Sequence, residues 1–117
     1  MITNERELDV LKEVYRQSLP SIAEDGLNYF KRLDKLNASA EEWSQLSAHV
    51  HRLCIGCQMF EFDVLCQLCF ELECKLNKTL AMFQLNHLSE IEQLFVQIHS
   101  LAKVMCADCP VSPASLQ

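Results

Sequence analysis

Apolar residues recur at intervals of three and four along most of this chain, and this spacing restricts its fold more than any other feature. The clearest run extends for about five turns and consists of Trp43, Leu46, Val50, Leu53, Cys57 and Phe60. Because an α-helix has 3.6 residues per turn, these side chains line one face of a helix. The chain has only two glycines and three prolines, which is few for the tight turns of a β protein. The sequence therefore predicts an all-α protein.

Capping and breaking residues divide the chain into helical segments. Asn4 and Glu7 are spaced to begin a first helix, and Pro20 suits either the first turn of a second helix or a kink between two. Ser39 and Glu42 have the spacing of a capping box, so they predict the start of another helix. Short connections between amphipathic helices favour antiparallel neighbours, and we therefore expect an up-down helical bundle.

Size, charge and hydropathy limit what the protein can be. A chain of 117 residues fits one domain, which we expect over residues 1–109, with a loose C-terminal tail over 110–117. The net charge of −6 argues against nucleic acid as the partner. No apolar stretch reaches the ~18 residues that span a bilayer, and the charged N-terminus does not resemble a signal peptide. We expect a cytoplasmic protein that binds no membrane.

One histidine stands out by its position on the helix that follows Ser39. His51 points about 130° away from the middle of the apolar face, so we expect it to be exposed. An exposed imidazole on a rigid helix suits a nucleophile that meets another protein, and neutral imidazole is abundant at pH 7. His49 lies at the edge of the apolar face and is interpreted as a half-buried packing residue. We find no Gly-rich phosphate loop and no catalytic triad, so a phosphocarrier is favoured over a free-standing enzyme.

Two stretches around His51 carry a resemblance to a known family. Trp43-Ser-Gln-Leu46 leads to His51-Arg-Leu53, and a second helix contains Leu65-Cys-Gln-Leu68-Cys69-Phe-Glu-Leu72-Glu73. In this order and without a gap, they resemble the histidine-containing phosphotransfer (HPt) domains of bacterial phosphorelays. The family's length and helix order extend the likeness to about residues 4–105.

The resemblance implies a fold and a role. The implied fold is a four-helix bundle with an additional N-terminal helix, and the implied phosphoryl acceptor is His51. The implied partners are the receiver domains of response regulators and hybrid histidine kinases. The protein would need no cofactor of its own, because the receiver would supply Mg²⁺. Such a bundle can act as a monomer, and we expect one.

This chain departs from the family at three positions. Cys54 occupies the position of the usual lysine, Ile55 that of a glycine, and Glu61 that of a second glycine ten residues after the histidine. Without the lysine we expect a less stabilised phosphohistidine, so Cys54→Lys should lengthen its lifetime. The same departures leave an alternative open, in which the protein binds receivers as a non-phosphorylating decoy.

We expect the residues around His51 to form a docking face. Ser47, Cys54, Ile55 and Gln58 lie within two turns of His51 on the helix. Ile55 is almost opposite the apolar seam, so it is predicted to be exposed and to give an apolar contact to a receiver. Asp or Arg at this position should weaken transfer without unfolding the protein. Arg52 completes the predicted partner-binding set, although it points about 100° further round the helix.

The cysteines support a rival hypothesis. The pairs Cys54–Cys57, Cys66–Cys69 and Cys106–Cys109 have a spacing that zinc sites use. A metal- or redox-responsive helical protein is therefore a further alternative, with oxidation of Cys54 acting beside His51. The first two pairs fall inside predicted helices, where a spacing of three is ordinary core spacing, and we interpret them as packing residues without a metal.

Overall fold

A computed structural model describes residues 4–82 and 87–107 of the chain. It contains four α-helices: α1 (Asn4–Arg32), α2 (Ala40–Met59), α3 (Asp63–Met82) and α4 (Leu88–Ala107). The described residues include no β-strand, so the predicted all-α fold is confirmed. None of the helices within these ranges is long and apolar enough to cross a membrane. The predicted tail over 110–117 and the Cys109 thiol lie outside the described residues.

Both ends of α2 are closed by hydrogen bonds that the local sequence provides. At the start, the backbone N–H of Glu42 donates to Ser39 Oγ (3.1 Å), and the backbone N–H of Ser39 donates to Glu42 Oε1 (2.9 Å). This is the predicted capping box. At the end, Phe62 N–H donates to the Cys57 carbonyl (2.9 Å) and Glu61 N–H to the Gln58 carbonyl (3.2 Å). These two bonds form a Schellman motif, with Glu61 at φ 60°.

The helices pack as antiparallel neighbours, with α1 chiefly against α4 and α2 chiefly against α3. Two side-chain contacts show the antiparallel pairing of α1 with α4. The Arg16 guanidinium donates to the Met105 carbonyl across α1 and α4 (2.9 Å), and the rings of Phe30 and Phe95 lie 5.4 Å apart. The core that these pairs enclose includes several side chains that are at most 1% exposed: Leu19, Phe30, Leu46, Val50, Cys57, Leu65, Cys69, Leu72, Leu76, Ile91 and Ile98.

The four-helix bundle is as expected, but the additional N-terminal helix is not confirmed, since it is not a separate element in the described residues. Residues 4–32 form one helix with Pro20 inside it, because the side chains on both sides of the proline pack into the same core. Leu19 is fully buried and Ala23 is 3% exposed, and this burial outweighs the backbone hydrogen bond that proline removes. Apolar side chains in the first turns of α1 are largely uncovered: Val14 is 60% exposed and Leu11 is 57% exposed.

Candidate functional site

The site is centred on a pair of side chains that join α2 to α3. His51 lies on the fourth turn of α2 and its side chain is 56% exposed, as expected from its position opposite the apolar face. Its Nδ1 atom lies 2.6 Å from Oε2 of Glu73 on α3, and the Glu73 side chain is only 17% exposed. The imidazole is therefore held at the surface by a carboxylate that is itself largely shielded from water.

The carboxylate selects which ring nitrogen can act as a nucleophile. An ionised carboxylate can only accept hydrogen bonds, so the proton of this bond belongs to His51 Nδ1. In the neutral imidazole the other nitrogen, Nε2, then carries the lone pair. Any positive charge that develops on the ring is offset by Glu73 at close range. The pair thus provides an oriented and exposed nitrogen nucleophile.

Sequence reasoning missed the part that Glu73 plays. The residue ended the second stretch of the family resemblance, but nothing on one helix indicates a partner on another. The antiparallel register does indicate it: Ser47 Oγ lies 3.1 Å from Asn77 Oδ1, one turn away from the His51–Glu73 pair on both helices. In two antiparallel helices, the residue numbers of facing pairs have a nearly constant sum. Ser47–Asn77 and His51–Glu73 have the same sum, so the register of α2 against α3 indicates Glu73 as the acidic residue that faces His51.

Exposed apolar side chains surround this pair on one side. Ile55, one turn after His51, is 45% exposed, which confirms the predicted exposure. The register that joins residues 51 and 73 places Phe70, one turn before Glu73, beside Ile55 on the neighbouring helix. Phe70 is 62% exposed, and Met59, one turn beyond Ile55, is 61% exposed. Neither was predicted. We name Ile55, Met59 and Phe70 the apolar patch; Gln58 is exposed on the same helix.

Cys54 does not lie on the exposed face where we expected it. Its side chain is 8% exposed and belongs to the core between α2 and α3. Burial, together with charge repulsion from and a hydrogen bond to Cys66, raises the pKa of the Cys54 thiol to about 11. The difference arises because α3 covers the flank of α2 on which Cys54 lies. A lysine at this position would have to extend its amine past α3, so Cys54→Lys would change packing as well as charge.

The other cysteines of the two helical pairs are also packing residues. Cys57 and Cys69 are fully buried, and a hydrogen bond with Cys57 together with burial raises the pKa of Cys69. Cys66 is half-buried. Nowhere in residues 4–82 and 87–107 do three or more His, Cys, Asp or Glu side chains meet in a way that could hold a metal ion. The geometry of these thiols is that of a protein core.

The two basic residues that flank His51 in sequence face α1. His49 is half-buried, and its Nε2 lies 3.0 Å from the Ile22 carbonyl, in agreement with the packing interpretation. Gly26 permits this approach, because a Cβ atom there would stand 3.1 Å from the His49 ring. Arg52 lines a groove between α1 and α2, on the flank of α2 away from Glu73. In the described part of the chain, neither His51 nor Glu73 has a lysine or arginine as an ion-pair partner.

No protein-family model, no curated protein and no solved structure matches this chain.

Proposed function

We propose that the protein is a cytoplasmic phosphocarrier of the HPt type, in which His51 accepts a phosphoryl group from one receiver-domain aspartate and passes it to another. The observation that supports this most directly is the 2.6 Å contact between His51 Nδ1 and Glu73 Oε2. When the ring is neutral and Nδ1 donates to Glu73, the lone pair is on Nε2, and the side chain that carries it is more than half exposed. A phosphocarrier needs this arrangement, since its nucleophile must enter the active site of another protein.

Transfer to His51 requires only the histidine, Glu73 and the phosphorylated receiver. The Nε2 lone pair attacks the phosphorus of an aspartyl phosphate in line with the leaving oxygen. The N–P bond forms as the O–P bond breaks, and the aspartate leaves as a carboxylate. No proton has to move, because the hydrogen on Nδ1 stays in its bond to Glu73. The ring becomes a phosphorylated imidazolium, whose charge Glu73 stabilises. The receiver would supply Mg²⁺ for the phosphoryl oxygens, and return transfer reverses each step.

The apolar patch gives the receiver a place to dock. Ile55 and Phe70 lie one turn from the His51–Glu73 pair, and Met59 extends the surface by a further turn. Transient signalling complexes rely on small contact areas with an apolar centre and a polar rim. Ser47, Gln58 and Arg52 would belong to that rim. Cys54 would contribute through the packing of α2 on α3, since its thiol is buried.

Phosphotransfer profiling tests the proposal. The protein is incubated with autophosphorylated hybrid kinases that carry receiver domains, beside a His51→Gln variant and a His49→Gln control. We expect rapid acid-labile labelling that is lost in the His51 variant and retained in the control. Labelling lost only with His49 would overturn the assignment of the acceptor. Receiver binding without any label would favour the decoy, a second candidate because, among the described residues, no lysine or arginine is paired with His51 or Glu73.

A further inference from the structure

A groove between α1 and α2 lies on the flank of α2 opposite the His51–Glu73 pair. It encloses about 510 Å³, which lies within the range of small-molecule sites. Its lining comes from the C-terminal half of α1 and the middle of α2, and most of the lining side chains are polar. Nothing in the phosphotransfer step requires this groove, so its chemistry calls for a separate explanation.

Two arginines supply the strongest charges in the groove. Arg32 comes from the last turn of α1 and Arg52 from α2, and both side chains are exposed. Within the ranges that the structure describes, neither guanidinium has a hydrogen bond or an ion pair with a carboxylate. The chain carries 16 acidic residues against 10 lysines and arginines, so partners for two arginines are not scarce. A guanidinium presents a planar fork of donors that matches a carboxylate or a phosphate.

The neutral groups of the groove add donors. Tyr29 O–H lies within donating distance of Gln45 Oε1 (3.1 Å) and of the Glu42 carbonyl (3.3 Å). Neither bond uses the Gln45 amide nitrogen, which can donate to a ligand. Asn28 adds a second amide to the lining. Among the described residues of the lining, Asp25 is the one carboxylate. It would weaken the binding of a bare anion while accepting a hydrogen bond from a hydroxyl group. Donors and positive charge therefore dominate the groove.

We propose that this groove binds a small oxyanion, with its carboxylate or phosphate group held by Arg32 and Arg52 and by the Gln45 amide. The site takes one small molecule, and of the residues named for the surface that would meet a receiver it shares Arg52 alone. Arg52 would then act here, in addition to any place it has at the rim of that surface.

Titration followed by amide NMR tests the proposal, with inorganic phosphate and citrate as separate probes and sodium chloride at matched ionic strength as the control. We expect saturable shifts confined to the residues of the groove for at least one probe. The probe that saturates identifies phosphate or carboxylate as the preferred group. Arg32→Gln and Arg52→Gln should each weaken binding roughly tenfold or more, because each removes a charged hydrogen-bond partner. Arg6→Gln, at an exposed position on the first turns of α1, should leave binding unchanged.

Two further variants separate geometry from charge, and a transfer assay separates this site from the phosphocarrier. Arg32→Lys and Arg52→Lys keep the charge but lose the fork, so they should bind less tightly than the native protein and more tightly than the Gln variants. Shifts that grow linearly with each probe, or equal losses in the Arg6, Arg32 and Arg52 variants, would overturn the proposal. Arg32→Gln should leave labelling of His51 intact, so loss of anion binding and loss of phosphotransfer are distinguishable.

Discussion

At the scale of single residues, the short contact between His51 and Glu73 is the feature on which the proposed chemistry depends. Glu73→Gln keeps an oxygen that can accept from Nδ1 but removes the negative charge, whereas Glu73→Ala removes both. We expect transfer to His51 to slow about fivefold in the Gln variant, which corresponds to a loss of about 1 kcal/mol of charge-assisted bonding, and to slow further in the Ala variant. Rapid-quench measurement of labelling checks this.

Glu71→Gln is the matched control for that prediction. Glu71 lies on the same helix and is exposed, and the hydrogen bond and ion pair described for His51 are with Glu73 instead. Its replacement removes the same charge from the protein without touching the site. Equal slowing in the Glu71 and Glu73 variants would mean that net charge, and not orientation of the imidazole, controls the rate.

Residue-level features were predictable from sequence only where one helix decides them. The exposure of His51 and Ile55 follows from their angle to a single apolar seam. The burial of Cys54 and the partner of His51 depend on where α3 lies, and the seam of α2 does not determine this. On α2, the 3.6-residue repeat therefore predicts correctly that His51 and Ile55 are exposed. It fails for Cys54, which lies at the edge of the exposed face and is covered by α3.

At the scale of helices, the end of α2 stores strain that one substitution can remove. Glu61 has φ 60°, a left-handed conformation that costs a residue with a side chain roughly 1 kcal/mol and costs glycine little. The Schellman bonds of Glu61 and Phe62 hold it there. Glu61→Gly should therefore raise the free energy of unfolding by about 1 kcal/mol, as measured by urea denaturation. Sequence reasoning noted the missing glycine, and its conformational reason became visible only in the fold.

The same exchange inside a helix should have the opposite sign. Glu71 is exposed in the middle of α3, where glycine costs about 1 kcal/mol relative to a good helix former. Glu71→Gly should therefore destabilise the protein by about that amount. Destabilisation by both substitutions would show that the left-handed geometry at Glu61 is not what limits the stability of this turn.

The approach of α1 to α2 depends on the absence of a side chain at Gly56. A Cβ atom there would lie 2.1 Å from Tyr15 Oη and 2.4 Å from Tyr15 Cζ. The Tyr15 ring also packs against Phe60 at 5.3 Å, so it would have to leave that contact. Gly56→Ala should lower the free energy of unfolding by at least about 1 kcal/mol, although alanine is the better helix former.

A double-mutant cycle tests this explanation. In a Tyr15→Ala background the obstacle is gone, so Gly56→Ala should stabilise the protein by about 1 kcal/mol through helix propensity alone. Thermal and urea denaturation of the four proteins give the coupling energy. A destabilising effect of equal size in both backgrounds would mean that Gly56 is required for a reason other than the close approach of Tyr15.

At the scale of the whole molecule, the periodic seams determined the all-α architecture, and the proline misled the division of the first helix. Pro20 is a strong local signal for a boundary, but Leu19 and Ala23 are buried in the same core. Burial of these side chains depends on how the four helices assemble, so the residues on either side of Pro20 in the sequence do not predict it. The first turns of α1 are exposed because α1 is longer than the other three helices and extends beyond them.

The buried thiols and Tyr15 predict how the stability of the whole bundle depends on pH. Burial raises the pKa of Tyr15, and it raises the pKa of Cys54 from 9.0 to about 11. A group whose folded pKa is raised stays protonated in the folded protein while the unfolded chain ionises. The contribution of the buried Cys54 thiol to stability is therefore fully present below pH 9 and is lost as the pH rises to about 11. Urea midpoints under a reducing agent should be constant from neutral pH to pH 8 and fall steadily above pH 9.

Cys54→Ala should make that fall shallower even if it lowers stability at neutral pH, because one of the titrating groups is gone. A midpoint independent of pH through the alkaline range would show that these thiols are as accessible to water in the folded protein as in the unfolded chain.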